Sequence, residues 1–195
     1  MLSPKDRIDL LEKDLNAVPQ RISVYNDLPF AILRYDPDEE WETRRQARLL
    51  VTRLGDSGKE VVMISLADLL WEAINTTEGL DAIVELERQR GFESAQEQVT
   101  TYLSDVDWRP LPDILLDRLA GLSPEKNIVF LLRAGAMAPA IYHMSKLLDE
   151  MQGRTQVPII LFYPGTLDPG GTTGLRFMAL KEREALGNYR VKIYG

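Results

Sequence analysis

Apolar residues fall along this chain in two rhythms. Ile128, Val129, Phe130, Leu131 and Leu132 form one unbroken apolar run, and Ile159, Ile160, Leu161 and Phe162 form another. Between them Ile141, Met144, Leu148 and Met151 recur at helical spacing, and Gly153 follows. Strand, helix and strand in that order predict a buried parallel pair. The same alternation appears earlier. Phe30, Ala31, Ile32 and Leu33 read as a short strand running into Arg34-Tyr35-Asp36-Pro37. A helix then buries Ala47, Leu50, Val51 and Leu54, with Asp36 as its cap and Gly55 as its stop. Val61, Val62, Met63 and Ile64 give a further strand, and residues 67–74 a helix. Ahead of all this, Ser3, Pro4 and Asp6 form a helix start, and Ile8, Leu11, Leu15 and Val18 its apolar stripe up to Pro19.

Residues 75–125 break the alternation. Leu80, Ile83, Val84 and Leu86 predict one helix, Phe92, Ala95, Val99, Tyr102 and Leu103 a second, and residues 112–119 a short third. This is too much chain for one crossover, so it is expected to be a helical insertion within a single α/β domain spanning residues 1–195. After the loop from Gly165 to Gly174 a helix is expected to end near Gly187. The chain then closes on Tyr189, Val191 and Ile193 alternating with Arg190, Lys192 and Tyr194, a period of two that predicts an edge strand with one wet face. Right-handed crossovers make of these parts a three-layer fold. Its sheet is twisted, mostly parallel and five-stranded, of P-loop or Rossmann-like type.

Composition narrows the function. The 195 residues carry a formal charge of −7, which argues against direct nucleic-acid binding by this chain alone. The absence of cysteine rules out disulfides and thiolate metal sites, and fits a cytoplasmic protein. No apolar stretch is long enough to span a bilayer, and no signal peptide is expected.

The chemistry expected at the strand ends is sparse. A phosphate loop needs glycines, a lysine and Ser or Thr after the first strand, where this chain has an acidic turn. The near match is late: Gly165, Gly170 and Thr172 keep the frame of a Walker A loop, but Gly171 stands where the lysine belongs. No working Walker A is therefore expected, and no cofactor. Arg34, Arg133 and Tyr163 should converge on one sheet edge. Arg34, Arg133, Gly170, Gly171, Thr172 and Arg176 are the anion-site candidates, with ion pairing to Asp36 or another carboxylate as the competing use of the arginines. Asp36, Asp38, Glu39 and Glu40 suit a helix N-terminus better than a metal site. His143, the single histidine, has no nucleophile and acid spaced to use it, so no catalytic residue is assigned. Trp108, Arg109 and Trp71 are the candidate partner anchors, since Trp and Arg dominate interface hot spots.

Four runs carry a resemblance. They are residues 29–37 (Pro-Phe-Ala-Ile-Leu-Arg-Tyr-Asp-Pro), 132–136 (Leu-Arg-Ala-Gly-Ala), 148–154 (Leu-Asp-Glu-Met-Gln-Gly-Arg) and the tail from Gly187 to Gly195. Together they resemble BrxB, a small core component of bacterial BREX anti-phage systems. The resemblance implies a cytoplasmic prokaryotic protein encoded beside an alkaline-phosphatase-like protein (PglZ), a large ATPase and a DNA methyltransferase. It implies no catalytic residue. The function expected is a non-enzymatic assembly or regulatory subunit contacting other BREX proteins, PglZ first among them. The alternative is a nucleotide- or anion-binding sensor using the loop from Gly165 to Gly174, and a homo-oligomer fits either.

Overall fold

The computed structural model describes residues 2–22, 28–139, 141–167, 174–180, 189 and 191–195. Its centre is a sheet of β1 (Phe30–Tyr35), β2 (Glu60–Ser65), β3 (Asn127–Leu132), β4 (Ile159–Leu167), β5 (Leu175–Phe177) and β6 (Lys192–Tyr194). Five strands run parallel in the order β2-β3-β4-β1-β6. The sixth, β5, turns back antiparallel on the end of β4. It corrects the expectation of five strands and of a helix after Gly174. A three-residue strand has no period to read, and only its pairing with β4 defines it. The remainder of the expected helix lies outside the described residues. Gly165 permits the hairpin: a Cβ there would stand 2.2 Å from the Arg176 carbonyl oxygen and 2.7 Å from the Tyr163 ring.

Alternate strand residues feed two cores, one on each face. Ala31, Leu33, Ile128, Phe130, Ile160 and Phe162 pack with α1 (Pro4–Leu15) and α2 (Glu40–Asp56). Phe30, Ile32, Val129, Leu131, Ile159 and Leu161 pack on the other face with α3 (Leu66–Thr76), α4 (Leu80–Arg90), α5 (Phe92–Ser104), α6 (Leu111–Leu119) and α7 (Met144–Met151). The stretch expected as an insertion is α4 to α6, and Ile83, Tyr102, Leu103 and Ile114 join that same core. No helix among the described residues is long and apolar enough to cross a membrane.

Three local expectations change. The first helix begins as its Ser3 cap predicts, with the Asp6 amide donating to Ser3 Oγ, but ends at Leu15 and leaves Val18 fully exposed. The helix before β4 starts only at Met144. A 3-10 turn, Ala134–Met137, precedes it, Ile141 stays outside it, and His143 stands exposed at its N-cap. The face of β6 expected to be wet is covered by α1. Lys192 and Tyr194 lay their apolar parts inward and donate to Asp14 at 2.7 and 2.8 Å. As expected, β6 is an edge of the sheet; β2 is the other.

Candidate functional site

Crossover direction places the candidate site. The link from β1 through α2 to β2 passes over the α1–α2 face, toward one end of the sheet. The links from β2 to β3 and from β3 to β4 pass over the opposite face, in the opposite direction, as right-handed crossovers require. At the carboxyl ends the chain therefore leaves β1 and β3, which lie on either side of β4, toward opposite faces. Open α/β sheets bind ligands in the crevice outside the carboxyl ends at such a switch point.

A cavity of about 300 Å³ opens there, lined by Pro37, Glu40, Arg133, Gly135, Ala136, Pro164 and Met178. Two of its walls carry backbone strain. Arg133 sits in the left-handed region at φ 60°, and Met178 at φ 53°. For a residue with a side chain that conformation costs roughly 1–2 kcal/mol. Tyr35 donates its hydroxyl to Glu40, and burial foremost, then this carboxylate, pushes the phenol far above its usual range.

Beside it, a cavity of about 600 Å³ is lined by Leu2, Arg34, Asp36, Thr166, Leu167 and Gly195. Arg34 belongs to β1 itself and is buried. Its Nη1 donates to Asp36 Oδ1 at 2.9 Å and to the Gly165 carbonyl at 3.1 Å. The next link is a residue absent from the sequence-based candidates. Arg7 of α1 is wholly buried, and its Nη1 donates to Glu39 Oε2 at 2.6 Å. The Asp36 amide donates to the same oxygen at 3.1 Å. Burial alone would raise the Glu39 carboxyl, but the Arg7 and Asp36 hydrogen bonds hold it below its ordinary value. Two guanidiniums thus pair with two carboxylates of the acidic turn after β1, Arg34 with Asp36 and Arg7 with Glu39. A signal for Arg7 exists in the sequence, since it is in phase with Leu11 and Leu15 on the buried stripe of α1.

The anion candidates do not form one pocket. Arg34 and Arg133 line different cavities. Arg133 lies 3.6 Å from Asp68, beyond hydrogen-bond reach, with both side chains at least half exposed. Arg176 lies opposite Thr166 in the β4–β5 pair. Gly170, Gly171 and Thr172 lie outside the described residues. Tyr163 is inside β4 rather than beyond it, its ring against Phe177 and Tyr189 at 5.4 and 5.8 Å. The described residues hold no group of three or more His, Cys, Asp or Glu placed to bind a metal.

The family model described as "BREX protein BrxB" matches residues 62–193. The chain belongs to the BrxB family. It is similar to a BREX protein BrxB of Bacillus cereus (strain H3081.97), at 24% identity over 147 residues, covering 73% of each chain. No solved structure matches it significantly. Family membership supports a role in BREX phage defence.

In this BrxB-family chain the three partner candidates differ in how free they are. Trp71 on α3 is 49% exposed. Trp108 is 36% exposed and meets the buried Tyr102 ring edge-on at 5.1 Å. Arg109 is tied to Glu72 at 3.0 Å and to Asp117, while Arg118 also donates to Glu72, so this guanidinium braces α3 against α6. The third tryptophan, Trp41, is the most exposed at 76%, with the Arg44 guanidinium 5.3 Å from its ring. It stands on the first turn of α2, next to Glu40 of the crevice.

Proposed function

We propose that this chain is a non-enzymatic assembly or regulatory subunit of a BREX complex, acting by protein–protein contact, with the PglZ-type phosphatase-like component as its first partner. The observation that carries this reading is the state of the strand-end charges. Arg7 and Arg34 are engaged by Glu39, Asp36 and a backbone carbonyl, so among the described residues neither cation beside the turn after β1 is free for a triphosphate. A phosphate-binding turn in that place would present glycine amides and a lysine. Large side chains of hot-spot type, Trp41 and Trp71, stand in solvent instead. Co-expression with each BREX component followed by size exclusion tests the reading. Co-migration with the PglZ-type protein is expected, and a chain that elutes alone beside every component rejects it.

A second reading is favoured by Arg133. A strained arginine on the wall of a switch-point cavity suits an anion or nucleotide sensor. A thermal-shift series with ATP, GTP and cyclic nucleotides separates the two. A ligand at 100 times its dissociation constant stabilises the fold by about 2.7 kcal/mol, and no shift across the series removes the sensor reading.

A further inference from the structure

Among the described residues the sheet ends on one side at β2, whose residues Glu60-Val61-Val62-Met63-Ile64-Ser65 pair there only with β3. Residues of a parallel strand send their N–H and C=O alternately to the two sides. The Glu60 amide donates to Lys126, toward β3. Val62 and Ile64 follow it, so Val61, Met63 and Ser65 present their backbone groups outward. Nothing among the described residues bonds to the outward amides of Val61 and Met63. The edge is not protected in the usual ways. It has no proline, no bulge and no inward charge, and Met63 is 44% exposed.

The charge beside this edge is specific. Arg44, Arg48 and Val51 share one row of α2 at spacings of four and three. Val51 and Val61 pack on the same core, whereas Arg53, on another side of α2, reaches Glu12 of α1 at 2.7 Å. The row therefore lies on the β2 side of the helix. Arg48 precedes the last residue of α2 by roughly 12 Å of helix rise, and Met63 follows Lys59 by roughly 13 Å of strand, which sets the two level. Arg48 has no ion pair among the described residues, whereas Arg44 is turned to the β1 end, 3.9 Å from Glu40 and with its charge acting on Tyr35. Lys59 donates to a backbone carbonyl, that of Glu125. The strand's own carboxylate, Glu60, is already taken by Lys126 at 2.7 Å. Exposed Asp56 and Glu125 flank only the amino end of the strand, and Asp68, just past its carboxyl end, faces Arg133. A second copy added edge to edge about a two-fold axis normal to the sheet would bring two Arg48 side chains to the same face of one junction, so self-pairing is disfavoured.

We propose that the free edge of β2 takes up an extended acidic segment of a partner polypeptide as an added strand, with Val61 and Met63 supplying the backbone hydrogen bonds and Arg48 selecting for negative charge. Main-chain bonds give such a complex affinity, and alternate side-chain contacts give it specificity. This edge would serve the assembly role proposed above. A synthetic strand rather than a BREX protein tests it, so the two readings fail separately. The probes are labelled nine-residue peptides alternating Glu with Val or Lys with Val, read by fluorescence anisotropy and by amide hydrogen exchange. The Glu–Val peptide should bind at least tenfold tighter than the Lys–Val peptide and slow exchange at Val61 and Met63. Met63→Pro, which removes an outward amide and leaves the β3 ladder whole, should abolish binding. Arg48→Glu, on the helix surface and independent of strand integrity, should reverse the charge preference. Equal binding of the two peptides, no binding, protection elsewhere, or an unchanged preference in Arg48→Glu overturns the proposal. So does a concentration-dependent dimer that Met63→Pro dissolves, which would make a second copy the occupant.

Discussion

Arg7 and Glu39 show how one buried pair sets the shape of the turn after β1. Arg7 is fully buried, and its Nε and Nη2 have no hydrogen-bond partner among the described residues. Glu39 is therefore the group that makes its charge tolerable. Glu39→Gln should cost about 3 kcal/mol, because it strands a buried guanidinium. Arg7→Met should cost clearly less, because it leaves a carboxylate with access to water. Urea melts of both variants check the order, and equal losses would contradict it. The sign of the pH effect follows from the lowered Glu39 carboxyl. Its contribution is complete above the ordinary carboxylate range and is lost as pH falls through the lowered folded value, so the slope of stability below roughly pH 5 should flatten in Glu39→Gln. Arg133 behaves oppositely. Relief of its left-handed backbone should make Arg133→Gly more stable by about 1 kcal/mol, a rise in Tm of roughly 2–4 °C. If Tm does not rise, the strain at Arg133 is not real.

Elements with long periods were legible in the sequence, and those made by contact were not. The helix stripes of α1 and α2 and the apolar runs of β1, β3 and β4 could be read because burial on a helix or sheet leaves a repeating pattern. β5 could not be, since Leu175-Arg176-Phe177 becomes a strand only through its register with residues 165–167. The late start of α7 was hidden because Ile141 is in phase with Met144 and Leu148 although the chain there is not helical. At the candidate site the sequence offered Arg34 either an anion or a pairing with Asp36 or another carboxylate; the structure shows the Asp36 pairing, and it shows that Arg34 and Arg133 line separate cavities. That separation follows from register, which composition does not encode. Two substitutions test the elements. Ser65→Ala removes the cap that Ser65 Oγ gives the Asp68 amide at the start of α3, and should cost about 1 kcal/mol. Gly165→Ala forces a methyl onto the Arg176 carbonyl and should cost about 2 kcal/mol, with β5 released first in hydrogen exchange.

For the whole molecule, the two faces of the sheet have different exposed anchors. Trp41 is solvent-exposed on the α2 face, so Trp41→Ala should leave Tm unchanged. If this face meets a BREX partner, the same change should weaken that complex by more than ~1 kcal/mol. Trp108 leans on buried Tyr102, so Trp108→Ala should lower Tm whatever happens to binding. Calorimetry beside a pull-down of the PglZ-type protein distinguishes an anchor from a brace. The order of the strands also has a consequence for synthesis. β1 precedes both of its neighbours, β4 and β6, in the chain, so Phe30 waits for Ile159, and Ala31 for Lys192. Both sides of this six-residue strand, apolar but for Arg34 and Tyr35, stay unmet until its partners at 159–164 and 192–194 are made, a hazard that slow, non-local pairing brings. A nascent chain arrested at residue 150 should be cut by protease across residues 30–35, and one released at full length should resist.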